Sequence, residues 1–285
     1  MGFYRRRQIN NMREFLPHMA GHRFTRVFKD TYVSSDVTLS TRVVASAALD
    51  AYPQLVITGL SALQLRGIDV GPILPLHVAS PQQVRVNNMV WHPGEREHSG
   101  GIAALGDALT DTTLSDGDIV IVFDEIQRKQ IPLTDIDRRS IMNSQRLREL
   151  FAKSVDDSGS RRESATRFIL ESAGLPTLET QIEVYSSDSL HEFIGRADMG
   201  NRQYQILIEY EGYGHFGNKD QSVKDIARYA RMDHEGWAVV RVPGEYMWKP
   251  HKLVAWVAEF FRKRGWRGRP RCDMSWLAGL PTITA

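Results

Sequence analysis

The stretch Tyr204-Gln205-Ile206-Leu207-Ile208-Glu209-Tyr210-Glu211 constrains this chain more than any other. Its middle is apolar enough to lie inside a sheet, yet it ends in two carboxylates two residues apart. Side chains alternate faces along a strand, so Glu209 and Glu211 project the same way. Carboxylates held side by side on a buried strand lose hydration and repel, which is costly unless a cation lies between them. Asp198, at the end of the preceding strand-like segment, adds a third acid. Such an oxygen-rich set suits a hard divalent ion, Mg²⁺ or Mn²⁺. An ion of that kind polarises a phosphodiester oxygen and activates a bound water.

The surrounding pattern gives an order of elements. Ser160-Arg161-Arg162-Glu163 has the form of a capping box, opening a helix that runs to about Ser172 and stops before Gly174-Leu175-Pro176. Strands are expected at 181–185, 190–198 and 203–211, a helix at 220–234, a strand at 237–242 and a helix at 252–263. The order is α-β-β-β-α-β-α. Ser154 to Ser160 is small and polar without apolar periodicity, which places a boundary there. The expected parts are residues 1–153, 160–264 and a basic tail, 265–285.

The first part reads as mixed α/β. Phe24–Phe28 and Tyr32-Val33 flank a hairpin turn, Leu39 to Tyr52 and Thr58 to Gly67 are helical, and 76–79 and 84–91 are strands. Ile119 to Phe123 is a buried strand or a buried helix segment, and Asp137 to Lys153 is a helix.

Several motifs stand in one sequence: Ser164-Ala165-Thr166-Arg167, Ala173-Gly174-Leu175-Pro176, Arg196-Ala197-Asp198, Ile208-Glu209-Tyr210-Glu211-Gly212 with His215, Asp225 with Arg228, and Gly236 to Val242. Together they resemble the very-short-patch-repair-like endonucleases, a branch of the PD-(D/E)xK superfamily. The resemblance implies a restriction-endonuclease-like fold and metal-dependent cleavage of DNA, with Asp198 and Glu209 or Glu211 holding the ion. It also implies that His215 positions or deprotonates the attacking water and that Glu163 is an outer ligand. Glu211 stands where that branch usually has Asp and the superfamily usually Lys. Asp225 and Arg228, three apart on a helix, read most simply as an ion pair.

Arg23 to Val33, Ile57 to Ile68 and Leu76-His77-Val78 resemble the N-terminal region of AbiEi-type antitoxins, which implies a DNA-binding winged helix. Only about 22 residues precede the hairpin, fewer than its usual three helices need, so residues 1–33 are a degenerate form of it or a basic arm.

Charge supports a polyanionic partner. Residues 1–29 carry seven Arg or Lys against Glu14 alone, and 249–271 carry eight against Glu259 alone, although the whole chain is only +2. Arg262, Lys263, Arg264, Arg267, Arg269 and Arg271 are expected to hold a DNA backbone, with Trp266 stacking on an exposed base. The competing classes are a DNA-binding regulator or antitoxin built on a retired nuclease fold, and a phage or defence protein that contacts another protein. The single cysteine, Cys272, excludes an internal disulfide and a cysteine-rich zinc cluster. No apolar run reaches the ~20 residues of a membrane span, and Met1 to Arg7 lacks the apolar core of a signal peptide. A cytoplasmic location without membrane contact is the expectation.

Overall fold

The computed structural model describes residues 3–5, 24–211, 219–271 and 279–282. In chain order its elements are β1 (Phe3–Arg5), β2 (Phe24–Phe28), β3 (Thr31–Ser34), α1 (Thr41–Ala51), β4 (Val56–Ile57), α2 (Gly59–Leu65), β5 (Leu76–Ser80) and β6 (Met89–Pro93). Then come β7 (His98–Ser99), β8 (Ile102–Ala103), α3 (Leu105–Thr110), α4 (Asp116–Arg128), α5 (Asp135–Asn143), α6 (Gln145–Phe151) and α7 (Arg161–Ser172). The last are β9 (Glu179–Tyr185), β10 (Phe193–Asn201), β11 (Ile206–Glu211), α8 (Lys219–His234), β12 (Ala238–Pro243), a 3₁₀ turn (Gly244–Trp248) and α9 (Pro250–Lys263). The chain is mixed α and β, and among the described residues no helix is long and apolar enough to cross a membrane.

Two compact units form, one from Met1–Thr113 with Pro132–Glu149, the other from Leu114–Ile131 with Leu150–Ala285. The single boundary expected within Ser154–Ser160 therefore gives way to an exchange of segments, and α4 explains it. Ile119 to Phe123 is helical because Ser115 and Asp118 close a full capping box ahead of it. The run from Gly117 to Ile126 is buried on every side, which marks a helix at the centre of a core. Its acids cannot stay unpaired there. Asp124 meets Arg167 of α7 at 3.0 Å and Glu125 meets Arg161 at 2.6 Å, so α4 belongs with α7.

In the first unit β2 and β3 form the expected hairpin, closed by Asp30 at φ 57°. Val27, Phe28 and Val33 from the hairpin pack with Val44, Ala45 and Ala48 of α1. A five-stranded sheet runs in the order β6-β5-β4-β8-β7. Strand β6 begins only at Met89, since Asn88 takes a left-handed φ of 65°. The helix expected from Asp137 to Lys153 is two helices. Ser144 turns extended between them and its hydroxyl accepts from the Leu147 amide at 3.3 Å, the local competition by which serine interrupts helices. The winged-helix expectation falls largely on residues 6–23, outside the described residues.

The second unit carries one four-stranded sheet, β12-β11-β10-β9, antiparallel except for the parallel pair β11 and β12. Its side chains divide into two cores. Met199, Ile206, Ile208, Val240 and Val242 meet Leu170 of α7 and Leu253, Val257 and Phe261 of α9. On the other face Ile182, Val184, Ala197 and Leu207 meet Met232 of α8. From α7 to α9 the order is α-β-β-β-α-β-α, as the patterning predicts.

Candidate active site

β10 and β11 pair through Asn201↔Ile206, Gly200↔Leu207 and Met199↔Ile208, and Asp198 of β10 comes next after the last of these pairs. Asp198 Oδ2 accepts a hydrogen bond from the Tyr210 amide at 2.8 Å. Its carboxyl is pushed up to about 7, chiefly by loss of hydration, then by the charges of Glu163 and Glu209. The Tyr210 amide and the Arg228 guanidinium oppose that shift without cancelling it.

Glu163, in the first turn of α7, completes only half of a capping box. Its amide donates to Ser160 Oγ at 3.2 Å, while its carboxylate accepts from the Gly159 amide at 2.9 Å and from Gln181 Nε2 at 3.2 Å. The carboxylate therefore turns away from its own cap toward β9, where it acts on Asp198.

Glu209 is 9% exposed and fully partnered. Arg228 of α8 forks onto it, with Nη1 to Oε1 at 2.8 Å and Nη2 to Oε2 at 3.0 Å, and the Tyr229 hydroxyl donates to Oε2 at 3.0 Å. The approach needs Gly195: a Cβ there would stand 2.8 Å from Arg228 Cδ. Burial and the Glu209 charge hold the Tyr229 phenol far above its usual range, so it stays a donor. Glu211 projects on the same face as expected but pairs with Arg241 of β12. Both guanidiniums lie over the Tyr229 ring, at 4.5 Å for Arg228 and 4.9 Å for Arg241.

The three predicted metal ligands thus separate. Asp198 is coupled to Glu163 and Glu209, while Glu209 and Glu211 each face an arginine. Among the described residues no group of three or more His, Cys, Asp or Glu is spaced to hold a metal ion, and His215 lies outside the described residues. Carboxylate oxygens such as those of Asp198 and Glu163 are the donors a hard divalent ion takes, while both oxygens of Glu209 are held by Arg228 and Tyr229. The expected ion pair of Arg228 with Asp225 forms, but it is the longer of two. Asp225 is 3.7 Å away, and the short bonds go to Glu209. Helical spacing along α8 could not reveal that partner, because it comes from β11.

The basic stretch after Phe261 is organised by Trp266. Its ring packs edge-on against Phe261, 6.1 Å between centroids. Gly268 lies so close to the indole that a Cβ there would meet Cε2 at 2.4 Å. Trp266, expected to stack on an exposed base, is half-buried, with the chain itself folded against its ring.

A second polar cluster, in the first unit, escaped the sequence. His77 Nδ1 and His92 Nε2 are 3.0 Å apart and share one proton, while Asp111 is 3.6 Å from His92 Nδ1. Arg96 forks onto Asp111 at 2.6 and 2.8 Å, and the Thr58 hydroxyl donates to it at 2.6 Å. Burial pushes both imidazoles below the usual 6.5, His92 further lowering His77. Below pH 6.5 the unfolded chain therefore takes up protons that the folded chain refuses, so stability falls with pH until the folded values are reached. Urea melts should show this unit weaker at pH 5.5 than at pH 7.5, and His92→Gln should narrow the gap. An equal gap in wild type and variant would sink this reading.

Comparison with family models, with curated proteins and with solved structures returned no match.

Proposed function

We propose that the second unit is a divalent-metal-dependent nuclease domain that hydrolyses phosphodiester bonds in DNA, with the restriction-endonuclease-like architecture of the PD-(D/E)xK superfamily. The observation that carries this reading is the Asp198 carboxyl, raised to about 7 beside Glu163 and Glu209. A buried acid made this reluctant to ionise by its neighbours is one whose charge a cation would relieve. Asp198 and Glu163 are the oxygens that would hold Mg²⁺ or Mn²⁺. The ion, when bound, would polarise a phosphodiester oxygen and lower the pKa of a bound water. Arg228 and Tyr229 hold Glu209 in place beside them. The order α-β-β-β-α-β-α supports the architecture.

A second reading has its own support. Glu209 and Glu211 are neutralised by Arg228 and Arg241 of the same chain. A site balanced internally in this way suits a non-catalytic DNA-binding regulator, antitoxin or phage-defence protein, whose fold needs no metal.

Plasmid cleavage with Mn²⁺ separates the two. Nicking or linearisation by wild type, abolished by EDTA and by Asp198→Asn, is the expected result. Cleavage that survives both would end the metal-nuclease reading. A folded wild type that binds DNA and cuts none would replace it with the regulator.

A further inference from the structure

A cleft of about 680 Å³ lies between one face of α9 and the chain segment that follows it. That is within the size range of small-ligand pockets. Its floor is apolar, from Val254, Ala255 and Pro270, while Arg262, Arg267, Arg269 and Arg271 line its rim. Three pins hold the segment. The Trp266 amide donates to Phe261 O at 2.9 Å, Gly268 rests on the Trp266 indole, and the Arg271 amide donates to Ala173 O at 2.8 Å. Arg267, Arg269 and Arg271 all line the cleft, so this pinned segment brings a row of cations to it.

Cations alone would describe a surface for sliding along phosphates. Two features describe something narrower. An apolar floor offers nothing to a phosphate but accommodates a nucleobase. Glu259, the one acid among the described residues that line the cleft, would repel a phosphate and accepts hydrogen bonds from an exocyclic amino group, as carboxylates do from cytosine N4. Bases paired in a duplex do not expose their Watson–Crick edges.

We infer that this cleft seats one unpaired nucleotide of a DNA strand, its base on the apolar floor with an amino group donating to Glu259, and its phosphates on the row formed by Arg267, Arg269 and Arg271. The inference rests on the reading of the chain as DNA-binding but not on catalysis, since no part of the cleft includes Asp198, Glu163 or Glu209.

The test is binding of the full chain, in EDTA, to fluorescent single-stranded oligo-dC, oligo-dA and oligo-dT and to a blunt duplex. Single strands should bind more tightly than the duplex, and oligo-dC and oligo-dA more tightly than oligo-dT, which has no amino group. The combined variant Arg267→Ala, Arg269→Ala and Arg271→Ala should lower the slope of log K against log salt by about 2, at about 0.7 per phosphate contact on a single strand. Glu259→Ala should erase the preference for amino-bearing bases while strengthening binding to oligo-dT. Equal or tighter binding of the duplex overturns the inference, as does an unchanged salt slope in the triple variant or a base preference that survives Glu259→Ala. Absence of single-strand binding by wild type also overturns it, whatever the cleavage assay shows.

Discussion

Asp198→Asn is expected to stabilise the protein, by an amount that grows from about pH 4 to pH 7 and is constant above. Asn keeps the shape and the oxygen that accepts from the Tyr210 amide but removes the charge that Glu163 and Glu209 oppose. The sign follows from the shift. The folded carboxyl titrates at about 7 against an ordinary 3.8. Between those values the folded state holds a proton that the unfolded state has released, so wild type loses stability as pH rises through that window. At roughly 1.4 kcal/mol per pKa unit the loss amounts to several kcal/mol by neutral pH, a large share of the ~5–15 kcal/mol of a typical domain. Mn²⁺ should recover much of it in wild type at pH 8 and none in the variant. Thermal melts across pH, with and without the ion, read both effects. A stability difference that does not change with pH would show that Asp198 is not strained by its neighbours, and the electrostatic basis of the metal site would fall.

Arg167→Met should destabilise the second unit by about 3–5 kcal/mol, the usual cost of removing one partner of a buried ion pair. Arg167 is 3% exposed and binds Asp124 at 3.0 Å, Glu171 at 3.2 Å and the Lys153 carbonyl at 2.9 Å. Its loss strands Asp124, which is 2% exposed, on α4. Burial already pushes the Asp124 carboxyl up, so without Arg167 it is more easily neutralised in acid, and the destabilisation should be smaller at pH 5 than at pH 8. Arg167→Met with Asp124→Leu should recover part of the loss, because the fully buried carboxylate is then gone and only the less buried Glu171 loses its partner. Urea denaturation at the two pH values tests this. A loss below about 1 kcal/mol, or a double variant no better than the single, would mean that the pair does not join α4 to α7.

The elements from α7 to α9 were legible along the chain. Their signals are local: the Ser160 cap, the Gly174-Leu175-Pro176 stop and alternation at 206–211. The carboxylates Asp198 and Glu209 could be singled out for a related reason. An acid at the end of an apolar strand conflicts with its surroundings, and that conflict is visible without coordinates. The hairpin of the first unit was legible too, because Lys29-Asp30-Thr31 separates two short runs of strand-forming residues.

Only tertiary structure decided which charge neutralises which. Arg228 was read with Asp225 because they share a helix, but the fork goes to Glu209, 19 residues earlier and on another element. Arg241 and Glu211 meet only because β12 lies parallel to β11. The same holds for α4, whose apolar run fitted strand or helix until Asp124 and Glu125 found Arg167 and Arg161 on α7, and for Trp266, whose ring is held by Phe261 and Gly268. Periodicity along a chain records how much of each face is apolar. It carries no record of which distant side chain covers that face, and the state of a carboxylate depends on that neighbour, through desolvation and through charges a few ångströms away.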